Sequence, residues 1–362
     1  MKGESIFMNN TTNGILEYYL PSELYARVPV KDKSSDRMMV GYRDGRIVDS
    51  IVSNIGYFLD KGDTIIFNNS KTINGLLMGY NSEFGYVRIH IISIHKDILK
   101  CSVEIRQDLF DDVINQIFEV SSNLNLRVML KNSDNTFDVK SNLNHDDLLK
   151  ELEIVGNPIS SNYVTGEIDI KDYQNELSSE LGSLENPVAS SHFTKELIEN
   201  LKNNFGINVG YATLHCISNP AYIDVDDVKD YKVPSEWFSV GEDTMELIKE
   251  TKKNNKKVIA IGTTVARTLE SLDYTEDYSC TSKLSGYTTL GIFPGYKFKV
   301  IDGIVTNFHG SRSSRLSLAA AFIGERNILS LYQVAIEKKY KFFEFGDCTL
   351  LFRGSSEERK ND

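Results

Sequence analysis

Val258-Ile259-Ala260-Ile261-Gly262-Thr263-Thr264-Val265-Ala266-Arg267-Thr268-Leu269-Glu270-Ser271 is the stretch from which the fold of this chain is read. Four apolar residues ending on glycine read as a strand buried on both faces. A helix is expected to follow at once, with Thr263 or Thr264 as N-cap and Val265–Leu272 as its body. A strand that passes through glycine straight into a helix leaves backbone N–H groups and two hydroxyls free at one point. Such a corner favours a carboxylate or a phosphate. Arg267, one turn in, is placed to pair with an anion or with Glu270. The same spacing also suits an ordinary junction whose threonines only cap. The stretch is neither GxxxxGK[ST] nor GxGxxG, which counts against nucleoside triphosphates and dinucleotides.

The alternation continues outward. Phe193, Leu197, Ile198, Leu201 and Phe205 recur at helical spacing after Thr194, with Gly206 as the stop, and Ile207–Leu214 reads as a strand. A helix around Met245–Ile248 runs into the lysine-rich Lys249–Lys257. Strands are expected at Phe298–Ile301, Ile304–Asn307 and Phe342–Phe345, with helices near Ser314–Ile323 and Ile328–Tyr340. This order predicts an α/β domain. Between Leu76 and Ile154 the texture changes. Tyr86–Ile94, Ser102–Ile105 and Arg127–Leu130 alternate or are β-branched, and Lys131–Asn135 before Thr136–Val139 is a hairpin signal. A short helix is expected at Asp146–Val155. The fold class is therefore α/β, with a main domain of residues 1–73 plus 156–362 and a small, mainly β domain, 74–155, inserted in it.

Composition narrows the functional classes. The 362 residues suggest two or three domains. Hydrophobic content of 41% and charged content of 25% are those of a globular protein and exclude wholesale disorder or coiled coil. A net charge of −11 argues against coating a long polyanion, although a local basic patch can still grip a short nucleic acid. No apolar run reaches membrane-spanning length, and Met1–Gly14 lacks the pattern of a signal peptide, so a cytoplasmic protein without membrane attachment is expected. Cys101, Cys216, Cys280 and Cys348 lie too far apart for a metal knuckle or a disulfide framework, and no metal site is expected.

A second informative stretch is Val300–Arg315, VIDGIVTNFHGSRSSR. Asn307 and His309 follow a strand and by alternation point to one side, where an amide and an imidazole can orient a polar ligand or move a proton. Arg312 and Arg315 lie just beyond. His192 opens a helix and His215 ends a strand, so three histidines at element ends make a better site than any one alone. Glu344-Phe345-Gly346-Asp347 places carboxylates at a strand end, where one facing a cleft attracts a cation or takes a proton. His90 and His95, five apart, are expected on opposite faces of a strand and are discounted as metal ligands.

At these residues the chain resembles the S-adenosylmethionine:tRNA ribosyltransferase-isomerase family of the queuosine pathway. The match is collinear. It runs through Tyr19-Leu20-Pro21-Ser22-Glu23-Leu24, Ser35-Asp36-Arg37, Gly62-Asp63, Asn68-Asn69-Ser70-Lys71, Asp172-Tyr173-Gln174, Pro187 with His192-Phe193-Thr194, and Thr213-Leu214-His215. Ala260–Ser271, Phe293-Pro294-Gly295-Tyr296, Thr306-Asn307-Phe308-His309 and Phe342–Asp347 are its strongest blocks. The resemblance implies a distorted, barrel-like α/β domain interrupted by a small β domain. It also implies transfer and rearrangement of the ribose of S-adenosylmethionine onto the aminomethyl group of a 7-deazaguanine base in tRNA. Epoxyqueuosine forms, adenine and methionine leave, and no cofactor is expected beyond S-adenosylmethionine as co-substrate. On this footing Thr263, Thr264, Arg267, Asn307, Arg312 and Tyr296 are the expected substrate-binding residues. His192, His215, His309, Glu236 and Asp347 are the expected catalytic ones. A monomer is expected.

Five stretches depart from the family pattern. The usual His-x-Met-His-x-Glu is here Tyr231-Lys232-Val233-Pro234-Ser235-Glu236. Ala-Ala-Pro-Thr-Ala-Gly-Leu-His-Phe-Thr has become Glu185–Thr194, and Gly-Ala-Gly-Thr-Phe has become Ile217–Tyr222. Leu-Pro-Lys-Ser-Thr is replaced by Gly310–Ser314, and the Pro-Pro-Tyr-Ile segment by Ser160–Val164. Lost histidines and glycines alter a pocket. Two further readings follow: a paralogue that ribosylates a small molecule, and an inactive module that binds an adenosyl ligand or RNA.

Overall fold

The computed structural model describes residues 10–30, 36–166, 168–219 and 221–354, the side chains of 10–12 excepted. Ser35 and Pro220, which belong to matched or altered motifs, and the first nine residues lie outside the described residues.

The Val258–Ile261 strand lies at the centre of a nine-stranded mixed sheet. From edge to edge the order is Ser285–Thr288, Glu236–Val240, Asn208–Leu214, Thr64–Asn68, Val258–Ile261, Gly303–Asn307, Cys348–Phe352, Arg37–Tyr42, Ile47–Ile51. Four neighbours, from Asn208–Leu214 to Gly303–Asn307, run parallel. Glu236–Val240 and Cys348–Phe352 flank them antiparallel, so these two strands start at the edge where the four end. The sequence reason is burial on both faces. Ile66, Ala260 and Ile304 pack with Val265, Ala266, Leu316 and Leu331 in one layer. Ile65, Phe67, Ile259, Ile261 and Val305 pack in the other with Ile198 and Leu201 of the helix Lys195–Phe205. Apolar residues at consecutive positions therefore serve opposite layers.

The inserted strands close into a barrel in the order Ile117–Glu119, Asn125–Lys131, Phe137–Ser141, Ile98–Val103, Gly85–His95, Leu76–Asn81. Every pairing in it is antiparallel. Val87, Ile89 and Ile91 point inward among Leu99, Phe118, Val128 and Phe137, and Leu148 and Leu152 of the helix His145–Val155 plug the same core. A register shift between Ile91 and Ser93 then makes Ile94, rather than Ser93, the next residue packed on that core. This bulge overturns the expectation for His90 and His95, because both turn outward and bond the main body. His90 Nε2 meets Ser218 Oγ at 3.0 Å, and His95 Nδ1 meets the Tyr287 hydroxyl at 2.5 Å.

Three local expectations are corrected. Gly262, at φ +94°, is the N-cap of the helix Thr263–Glu270, and neither threonine caps it through its side chain. Phe298–Ile301 is not a strand, because the Glu270 carboxylate accepts the N–H groups of Lys299, Val300 and Ile301 at 2.7, 3.0 and 3.0 Å and stands in for a neighbouring strand. Phe342–Phe345 is a turn with Phe343 at φ +75°, held by Asp347, whose carboxylate accepts from Arg37 N and Lys341 N at 3.0 and 2.7 Å. Among the described residues, no helix is long and apolar enough to cross a membrane.

Candidate active site

A cavity of about 760 Å³ opens where the four parallel strands end, the position at which open α/β sheets bind ligands. Its volume is within the roughly 300–1,000 Å³ of ligand pockets. The structure brings Gly262, Thr263, Thr264, Arg267, Asn307, His309 and Glu236 together on its wall. The adjacency follows from sheet register. Ile261 is paired with Val305, and Gly262 N donates to Val305 O at 2.8 Å, so the helix start and the Asn307–His309 tip are neighbours.

The first intrahelical bond runs from Ala266 N to Gly262 O, which leaves the N–H groups of Thr263 and Thr264 outside the helical ladder. Thr264 Oγ1 accepts from Asn68 Nδ2 at 3.2 Å. Arg267 is not paired with Glu270. Its Nη1 donates to Glu236 Oε2 and its Nε to Leu290 O at 2.9 Å, while Nη2 is buried with no partner. Glu236 Oε1 accepts from Ile217 N at 3.1 Å. Asn307 Nδ2 holds the turn through Phe343 O and Gly346 O at 3.2 and 3.4 Å, and its Oδ1 has no partner. His309 Nε2 bonds Thr306 Oγ1 at 2.7 Å, and the Tyr18 hydroxyl donates to the His309 carbonyl. Burial, with the Arg315 charge adding to it, pushes the His309 imidazole down to about 3 and keeps it neutral.

Five expected site residues do not line the cavity. His192 is 2% exposed behind the wall, its Nδ1 2.6 Å from Asp36 Oδ2. His215 stacks on Trp237 at 5.0 Å, bonds Ser70 Oγ at 2.7 Å and is pressed by Gly182, where a Cβ would come 2.8 Å from the ring. Burial lowers its pKa to about 4. Asp347 is the turn anchor already described. The Tyr296 hydroxyl donates to Glu270 Oε2 at 3.2 Å. Arg312 pairs with Glu17 and donates to Ile223 O and Val225 O at 3.1 and 2.9 Å, so it staples loops together.

A charged wall takes their place. Glu185 Oε2 accepts from Arg315 Nη2 at 2.7 Å and its Oε1 from Asn219 N at 2.9 Å. Glu344 lines the same wall with its Oε1 buried and unpartnered. Burial foremost, then the Glu185 charge, pushes its carboxyl up to about 7, against the pull of Arg315. Glu344 stood beside Asp347 in the sequence motif, and Arg315 beside Arg312, yet nothing local told the neighbours apart. All five stretches that depart from the family pattern contribute to the cavity lining.

Residues 15–351 match a family described as "Queuosine biosynthesis protein". The chain belongs to that family. An S-adenosylmethionine:tRNA ribosyltransferase-isomerase of Halothermothrix orenii is 35% identical over 350 residues, covering 92% of this chain and 98% of the relative. One from Aquifex aeolicus is 35% identical over 345 residues with the same coverage. A crystal structure of S-adenosylmethionine tRNA ribosyltransferase from Thermotoga maritima superposes with a TM-score of 0.52 at 28% identity, covering 93% of this chain and 99% of that one. The α/β body with its β-barrel insert is thus the architecture that this family membership implied.

Proposed function

We propose that this chain transfers the ribosyl part of S-adenosylmethionine to the aminomethyl group of a 7-deazaguanine base in tRNA and rearranges it to epoxyqueuosine, releasing adenine and methionine. The observation that carries the reading is the convergence of the Thr263–Glu270 helix start with Asn307 and His309 in one cavity, in a chain aligned with the family over 92% of its length. S-Adenosylmethionine enters as co-substrate with no further cofactor. Its sulfonium acidifies the C5′ hydrogens, and adenine leaves as an anion or is protonated as it goes. In this reading the N–H groups of Thr263 and Thr264 and the spare Nη2 of Arg267 bind the methionine carboxylate. The neutral His309 ring meets the adenine through its other nitrogen. Glu236 positions Arg267. The main domain, 1–73 plus 156–362, supplies these groups, the insert 74–155 supplies His90 at the rim, and the chain acts as a cytoplasmic monomer.

Chromatographic detection of adenine and methionine, with deaza-base tRNA supplied or withheld, tests this. Release that depends on the tRNA is expected. The concentration of all five altered stretches on the cavity wall favours one second reading, a small-molecule amine as acceptor. Release that needs metabolites instead of tRNA would establish it. No release under either condition would leave an adenosyl- or RNA-binding module.

A further inference from the structure

The cavity carries one carboxylate that the reading above leaves without work. Glu344 projects from the Phe343–Asp347 turn, which Asn307 and Asp347 lock from opposite sides. Tyr163 stacks on Phe343 at 4.6 Å and covers the turn. The charged and titratable groups that face Glu344 are Glu185, Arg315, Tyr163 and Tyr173. Both oxygens of Glu185 are engaged, one by Arg315 and one by the Asn219 N–H. Arg315 is hydrogen-bonded to Glu185 and acts on Glu344 only through its charge, Ser161 and Tyr163 hydrogen-bond the Glu344 carboxyl, and Glu344 Oε1 is left without a partner. An unpaired buried oxygen beside a surplus negative charge calls for a donor, and a cationic one suits it best. Glu185 and Arg315 also flank or fall within stretches where the chain departs from its family pattern, whereas Glu344 lies in the matched Phe342–Asp347 block.

We propose that Glu344 removes the proton from the acceptor's ammonium group. The carboxylate takes one N–H proton and becomes a carboxylic acid, and the N–H electron pair stays on nitrogen. A primary ammonium resembling that of lysine, pKa about 10.4, is almost wholly protonated at pH 7 and has no lone pair to offer a ribosyl carbon. An ordinary carboxylate is too weak a base to change this, whereas one raised to about 7 is matched to the working pH. The inference rests on the ribosyl-transfer reading and names the base that makes its acceptor nucleophilic.

The test uses the full chain with S-adenosylmethionine and the amine acceptor, following adenine release from pH 5.5 to 9 together with donor affinity by calorimetry. For the wild type, acceptor-dependent kcat/KM is expected to rise with pH to a plateau, with an apparent midpoint near 7. Glu344→Gln is expected to lower it by about 100-fold or more, to remove that limb and to leave donor affinity within about twofold. Glu344→Asp should retain the limb and an intermediate rate. A Gln variant with near-wild-type rate and an unchanged limb overturns the proposal. So does loss of donor binding, which would assign Glu344 to the α-ammonium of S-adenosylmethionine. An Asp variant as inactive as Gln, with both unfolding below the wild-type temperature, would assign Glu344 to packing. A wild type that releases no adenine overturns the functional reading itself, whereas an active wild type beside an equally active Gln variant overturns this inference alone.

Discussion

Two glutamate–arginine pairs grip the loop that follows the Asn208–Leu214 strand, and they do different things. Glu236 accepts Ile217 N and pairs with Arg267, whereas Glu185 accepts Asn219 N two residues later and pairs with Arg315. Arg315 stands at the start of the helix Ser314–Ile323, whereas Arg267 lies in the last turn of the helix Thr263–Glu270. The first pair has side chains 14% and 11% exposed, the second 40% and 27%. The deeper pair holds the loop in register and leaves only Arg267 Nη2 open toward a ligand. The shallower pair borders a carboxyl with an open valence, and there the same residue types become chemistry. Burial and the neighbour's hydrogen-bond count, rather than residue identity, separate scaffold from site.

The sharpest way to break this comparison is to cut the deep pair. Arg267→Ala leaves Glu236 buried without its cation and is expected to cost about 3–5 kcal/mol in denaturant unfolding. A loss below about 1 kcal/mol would make the two pairs equivalent. The next effect is acid sensitivity, and it comes from the buried neutral histidines. His215 and His309 have folded pKa values near 4 and 3 against about 6.5 unfolded. The unfolded chain thus binds their protons first, and stability is full above pH 6.5 and falls as pH drops from 6.5 toward 4. His215→Asn should flatten that slope in denaturation midpoints measured across this range, and an unchanged slope would count against a buried neutral ring.

Cutting the shallow pair should cost far less. Arg315→Ala is expected to lose about 1 kcal/mol, the upper end for an exposed pair, because this one is half-buried. It also removes the charge that holds the Glu344 carboxyl down, so the limb in acceptor turnover should move to higher pH. A limb that stays in place would separate Arg315 from Glu344. The smallest effect expected is at the barrel contact. His95→Ala loses one exposed hydrogen bond to Tyr287 and should change unfolding by about 0.5–1.5 kcal/mol or less.

Much of this was legible in particular residues. The apolar run into Gly262 marked a central strand and its helix, and the β-branched texture after Leu76 marked the barrel. The threonines do not cap, because Gly262 takes φ +94° and caps the helix itself, which local sequence does not encode. Phe298–Ile301 has the pattern of a strand but forms none, because Glu270, 29 to 31 residues away for the three N–H groups it accepts, supplies bonds that a strand would otherwise provide. The histidines were grouped by their position at element ends. Their partners are 156 residues away for His192 and 145 for His215, and those partners turn both rings away from the cavity.

What the sequence determined by itself was the order of strands and helices, the two-faced burial of the central strands, and the corner at Gly262, because propensity and periodicity act over a few residues. Only the tertiary structure decided which carboxylate and which imidazole face the cavity. A polar side chain's role is set by whatever long-range partner satisfies it first, and Arg267 Nη2, Asn307 Oδ1 and Glu344 Oε1 are cavity-lining groups that packing left unsatisfied.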